Sequence, residues 1–216
     1  MENVFDILIV VASVALLSVA FYFAYATTNG KKARAGKELK GTARSARALA
    51  VARRLCANEG AKLIAPATLA RAGAYADLDF ILVGTFGVLC VKCLGLDGEI
   101  YGSAGDAKWL QVRGKEDAQE RVSFDNPLVQ AGRDTRLVRD ALFSAGLKSV
   151  PVETVCVFTN KNAQLVLPRD TGHYTVKTFR DLLDKDKYHQ DRKVDIAKAA
   201  AALEANLAPA SARRDG

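Results

Sequence analysis

Three triplets place a carboxylate two residues before a lysine: Glu38-Leu-Lys40, Asp106-Ala-Lys108 and Asp191-Arg-Lys193. Clustered carboxylates can hold a hard divalent cation, and a lysine beside them can steady developing negative charge. In a chain with 31 Lys or Arg and 24 Asp or Glu, three such triplets are expected by chance. Only Asp106-Ala-Lys108 falls near the predicted strands, where it could mark a relocated site. Cys90-Val-Lys-Cys93 has the spacing of a metal or redox pair. It lies on a predicted strand, however, where side chains three apart point to opposite faces. No second CxxC follows, and His173 and His189 are distant in sequence, so zinc or thiol chemistry lacks its partners. A Cys90/His173 nucleophile has no local signature. The four cysteines suit a reducing compartment, where thiols act as small buried apolar groups.

The elements around these residues can be read from their punctuation. Asp79-Phe-Ile-Leu-Val83 is a short β-type run, Gly84-Thr-Phe-Gly87 a connection, and Val88–Leu94 a second run. Asp97-Gly98 is a dipeptide favoured at two-residue hairpin turns, which predicts a hairpin completed by Glu99–Gly102. Strand alternation puts Val88, Cys90, Lys92 and Leu94 on one face. Upstream, Leu49, Val51, Ala52 and Leu55 fit one side of a helix over Gly41–Cys56. Lys62–Pro66 reads as a short edge strand, Ala67–Ala76 as a loop, and Trp109–Val112 as one more strand. Arg113–Asp125 reads as a charged loop. Asn126-Pro127 is a helix start with Asp125 or Asn126 as cap, and Leu128, Ala131, Thr135, Val138 and Leu142 keep helical spacing up to Gly146. Thr154–Phe158 reads as a buried strand and Thr178–Leu183 as a short helix. An Ala-rich helix carrying Ile196, Ala200, Leu203 and Leu207 precedes a polar tail.

This order of motifs resembles the nuclease-related domain, NERD, of the PD-(D/E)xK (restriction-endonuclease-like) superfamily. The resemblance rests on Asp79 at the head of a "DxxLVGxxGV"-like strand, Gly87-Val88, the Asp97-Gly98 turn, Trp109, and the NPxxQ-like helix start Asn126-Pro-Leu-Val-Gln130. It covers roughly Gly41 to Phe158. It implies an α/β restriction-endonuclease-like core: helix, β-hairpin-rich sheet, helix, strand. It also implies metal-dependent cleavage of nucleic acid, with Asp79 at the family's metal-ligand position. The same register puts Lys92 at the family's Glu and Leu94 at its Lys. The helical Glu expected upstream is missing, since no carboxylate occurs between Glu38 and Glu59. A fixed ammonium repels a cation by ~4 kcal/mol per unit-charge pair at about 4 Å, and by twice that for a divalent ion. Lys92 is therefore expected to pair with Asp79, its charge standing where the metal's would be. Asn126 and Gln130 are the other family positions, with no role assigned.

Charge is distributed unevenly. The whole chain carries a formal +7, but residues 31–54 alone carry +8 and residues 55–216 only +1. Ile7–Ala26 is almost wholly apolar, and no charged residue lies between Asp6 and Lys31. About 20 helical residues span the ~30 Å hydrocarbon layer. Ala24-Tyr25-Ala26 mimics a signal-peptide cleavage site, but the acidic start and the length of the run favour a retained anchor. The basic flank then places the N-terminus outside and the domain in the cytoplasm. Lys31, Lys32, Arg34, Lys37 and Lys40 would face anionic lipid headgroups, or serve only as a topology signal.

The organisation expected is thus an anchor at 1–30, a basic segment at 31–54 running into the first helix, a NERD-like domain at 41–190, and a helix with a loose tail at 191–216. The function expected is binding or scaffolding at the membrane face by a nuclease-like domain without catalysis or cofactor. A Mg²⁺-dependent nuclease with a rearranged site around Asp79 and a lipid-surface structural module are the alternatives. No protein or nucleic-acid partner is indicated, and a near-neutral body argues against broad phosphate-backbone binding.

Overall fold

A computed structural model describes residues 37–114, 118–168 and 171–209. The expected anchor, and with it Lys31, Lys32 and Arg34, lies outside the described residues, as does the end of the tail. Among the described residues, no helix is long and apolar enough to cross a membrane.

The chain runs α1 (Gly41–Glu59), β1 (Lys62–Ile64), β2 (Leu69–Arg71), β3 (Ala74–Ala76), β4 (Phe80–Gly84), β5 (Gly87–Leu94), β6 (Gly98–Tyr101), β7 (Lys108–Arg113) and β8 (Glu120–Asp125). It continues through α2 (Pro127–Ser144), β9 (Val152–Phe158), β10 (Ala163–Val166), β11 (His173–Thr175), α3 (Val176–Leu183) and α4 (Ile196–Glu204). A five-stranded sheet in the order β1-β4-β5-β9-β11 forms the centre. Its β1–β4 and β4–β5 pairs are antiparallel; β5–β9 and β9–β11 are parallel. The central β5 is apolar at nearly every position because both edges and both faces are covered. On one face Ile81, Val83, Val88 and Cys90 pack with Leu137, Val138, Ala141 and Leu142 of α2 and with Ala199, Ala200 and Leu203 of α4. On the other, Phe80, Leu82, Leu89, Val91 and Cys93 meet Ala48, Val51, Ala52 and Leu55 of α1 and Phe179, Leu182 and Leu183 of α3.

Several expectations hold and three are corrected. The hairpin is β4–β5, turned at Gly84-Thr85-Phe86-Gly87, not β5–β6. Both edges of β5 are taken by β4 and β9, so Gly95-Leu96-Asp97 carries the chain into a second sheet, β10-β6-β7-β8. Asp97, expected at a hairpin turn, is 2 % exposed and accepts from Gln111 Nε2 through its carbonyl at 2.9 Å. Ala67–Ala76 is not a plain loop: Leu69–Arg71 and Ala74–Ala76 pair across Ala72-Gly73, which both have positive φ, as a tight two-residue turn demands. The charged stretch before Asn126 contains β8, which pairs along its whole length with β7. From Arg121 on, exposed residues alternate with the half-buried Val122 and Phe124, and the exposed Glu120, Arg121 and Asp125 disguised the strand.

Candidate functional site

The expected site residues lie around the C-terminal half of β5, and the sheet separates them. Asp79, just before β4, turns toward the α1 face, where its side chain is only 6 % exposed. Its Oδ2 accepts the Cys93 backbone N–H at 2.7 Å. Its Oδ1 accepts Arg44 Nε at 3.1 Å and lies 3.1 Å from Nη2, so the guanidinium of α1 closes over the carboxylate. Burial raises the Asp79 pKa, and the Cys93 amide and Arg44 oppose that rise.

Lys92 turns to the α2 face, with Val88 and Cys90. Its Nζ donates to the Asp77 carbonyl at 3.0 Å and stands 3.8 Å from both Asp77 Oδ2 and Asp134 Oδ2. Both carboxylate separations are charge contacts longer than hydrogen bonds. Asp134 projects from the buried side of α2, and its Oδ2 has no hydrogen-bond partner. Burial pushes its pKa up to about 6, against the pull of Lys92 and with a further push from Asp77. The Asp79–Lys92 pairing expected from the sequence is therefore replaced by two pairs, Asp79–Arg44 and Lys92–Asp134, on opposite faces of one sheet. Alternation explains the separation: Asp79 is fixed by the amide of Cys93, whose side chain faces away from that of Lys92.

Leu94 packs with Ile100, Trp109 and Phe158 in the small core between the two sheets. Asn126 is fully buried and has a structural assignment. Its Oδ1 caps α2 at Leu128 N (2.9 Å), while Nδ2 donates to the carbonyls of Ser103, Ala104 and Asp106, the last at 2.7 Å. Gln130, one turn on, is half-buried and joins neither charged pair. Lys37 and Lys40 are exposed. Asp106, of the triplet near the strands, receives the Ser103 N–H at 2.7 Å in a local turn, which gives its carboxylate a backbone task.

Sequence reasoning missed Arg44, Asp77 and Asp134. Asp134 left a legible trace: it sits three residues after Ala131 and four before Val138, within the buried stripe of α2. A carboxylate in that stripe demands a partner from the sheet beneath. Among the described residues, no group of three or more His, Cys, Asp or Glu is arranged to hold a metal ion.

A central mixed sheet with an N-terminal helix on one face and the post-hairpin helix on the other defines a mixed α/β protein consistent with a restriction-endonuclease-like core. The nuclease-related domain, NERD, matches residues 39–159, more than half of the sequence. The chain belongs to the NERD family. No curated protein and no solved structure matches it.

Proposed function

We infer that this NERD domain has given up metal-dependent phosphodiester cleavage and acts as a binding or scaffolding module on the cytoplasmic face of a membrane. The observation that carries the reading is the neutralisation of its candidate ligands. Asp79 is closed off by Arg44, and Asp134 and Asp77 are attended by the Lys92 ammonium. A magnesium ion needs several anionic oxygens converging on one point. Here a cation stands at the family's Glu position, an apolar side chain at its Lys position, and the remaining carboxylates are divided between two faces. These residues do not fit the family's metal, and no catalytic step is derived through it. The membrane part of the reading is supported by the apolar run Ile7–Ala26 and the basic flank that follows it.

The test is incubation of the purified full chain with single- and double-stranded DNA and RNA in Mg²⁺ and in Mn²⁺, beside Asp79→Ala. No cleavage is expected from either protein. Cleavage by the wild type that is lost in the variant would establish the rearranged nuclease instead. The double substitution Lys92→Glu with Leu94→Lys should raise divalent-ion affinity measured by calorimetry. Unchanged affinity would count against the register that puts these two residues at the family's motif.

A further inference from the structure

We propose that a cavity at the front of α1, bounded by Lys37, Lys40 and Arg113, is a binding site for the phosphate group of an anionic lipid headgroup. The proposal deepens the membrane reading above and rests on it.

The cavity has a volume of about 650 Å³ and is lined by Lys37, Glu38, Leu39, Lys40, Ala43 and Arg113. That volume lies within the range of sites that hold small organic ligands. Its floor is held firmly. The Leu39 N–H donates to the Gly95 carbonyl at 2.9 Å, and Asn160 Nδ2 donates to the Lys37 carbonyl at 3.1 Å. Gly95 permits this approach, because a Cβ there would stand 2.0 Å from the Leu39 carbonyl oxygen. Glu38, the one acid of the segment, is turned to the domain: its Oε1 accepts Arg113 Nη1 at 3.0 Å and Gln111 Nε2 at 3.2 Å.

The consequence is a sorting of charge. The segment's anion is consumed by internal partners, while the lysines on either side of it are exposed and form no ion pair among the described residues. Arg113 also pairs with Glu120 at 3.0 Å, so it supplies a fixed wall more than a free charge. Two ammoniums without an ion pair among the described residues, on an anchored backbone beside a headgroup-sized hollow, suit a phosphate with organic substituents. A lipid is favoured as its source by the sequence. Only residues 27–36 separate the apolar run from Lys37, and three of them, Lys31, Lys32 and Arg34, are basic.

The test uses the full chain in zwitterionic detergent micelles, titrated calorimetrically with dioctanoyl phosphatidylglycerol, dioctanoyl phosphatidylcholine or inorganic phosphate. Saturable binding of the anionic lipid is expected, with phosphatidylcholine and inorganic phosphate at least tenfold weaker. Lys37→Gln with Lys40→Gln should weaken binding of the anionic lipid by 10- to 30-fold, the effect of two ammoniums at a headgroup. Lys177→Gln with Lys198→Gln removes the same charge elsewhere on the exposed surface and should change it less than twofold. Equal losses in the two doubles would replace the site by diffuse attraction and overturn the proposal. Inorganic phosphate binding as tightly as the lipid would overturn the lipid as its source. Carbonate-resistant association of the chain with purely zwitterionic vesicles is measured in parallel. It reports the anchor alone, so loss of the anchor and loss of the cavity site give different results.

Discussion

At Lys92, one side chain determines what its surroundings can do. With its ammonium 3.8 Å from Asp134, the buried carboxylate has a counter-charge, yet burial still dominates and holds its pKa at about 6. The sign of the pH dependence follows. A carboxyl that binds its proton more tightly folded than unfolded stabilises the fold at low pH. That contribution is lost as pH rises from near 4 through about 6. Relative to wild type, Asp134→Asn should therefore gain stability in urea as pH is raised from 4 to 7. A pH-independent difference would show that Asp134 does not titrate in this window. Lys92→Met should cost about 3 kcal/mol at pH 8, because it strands a buried charge. The cost should be smaller at pH 5, where Asp134 can take up a proton. Parallel urea curves at the two values check this, and equal costs would mean that the pair contributes little.

At the scale of elements, the helix starts were well written in the sequence and the strand partners were not. Asn126-Pro127 announces α2 because capping and a fixed φ are local chemistry. The same asparagine does more than cap, since its amide holds three carbonyls of the loop at Ser103–Asp106. Asn126→Ala should accordingly cost about 2–3 kcal/mol, above the ~1 kcal/mol typical of a cap. Hydrogen exchange in residues 103–106 should rise with it, and a change confined to the first turn of α2 would limit Asn126 to capping. Strand pairing depends on what arrives from far along the chain. Asp97-Gly98 has hairpin chemistry, but β9 takes the free edge of β5 from some sixty residues away, and the local signal is overridden. The division of Asp79 from Lys92 was hidden for a related reason. Alternation within β5 was legible, but the face to which Asp79 turns depends on the amide of Cys93 and on Arg44 from α1. The strand pattern placed Asp79 and Lys92 near one another in the sequence; what each of them pairs with required the fold.

Taken as a whole, the molecule is built to keep reactive groups inside. Cys90, Cys93 and Cys156 are buried, and burial pushes the thiols of Cys90 and Cys156 up to about 12. Cys56, on α1, is partly exposed. A thiol reagent such as DTNB should therefore label one cysteine per native chain and all four in denaturant. Rapid labelling of two or more in the native state would mean that the sheet opens readily.

The tie between Leu69 and Leu207 has a bearing on biosynthesis. The Ala70 N–H donates to the Asn206 carbonyl and the Ala208 N–H to the Thr68 carbonyl, both at 2.8 Å, so the β2–β3 hairpin is stitched to the residues that follow α4. With Ala199, Ala200 and Leu203 also needed to cover one side of the central sheet, closure waits until α4 and the residues just after it have been synthesised. Until then the nascent domain exposes the apolar surface that α4 will cover.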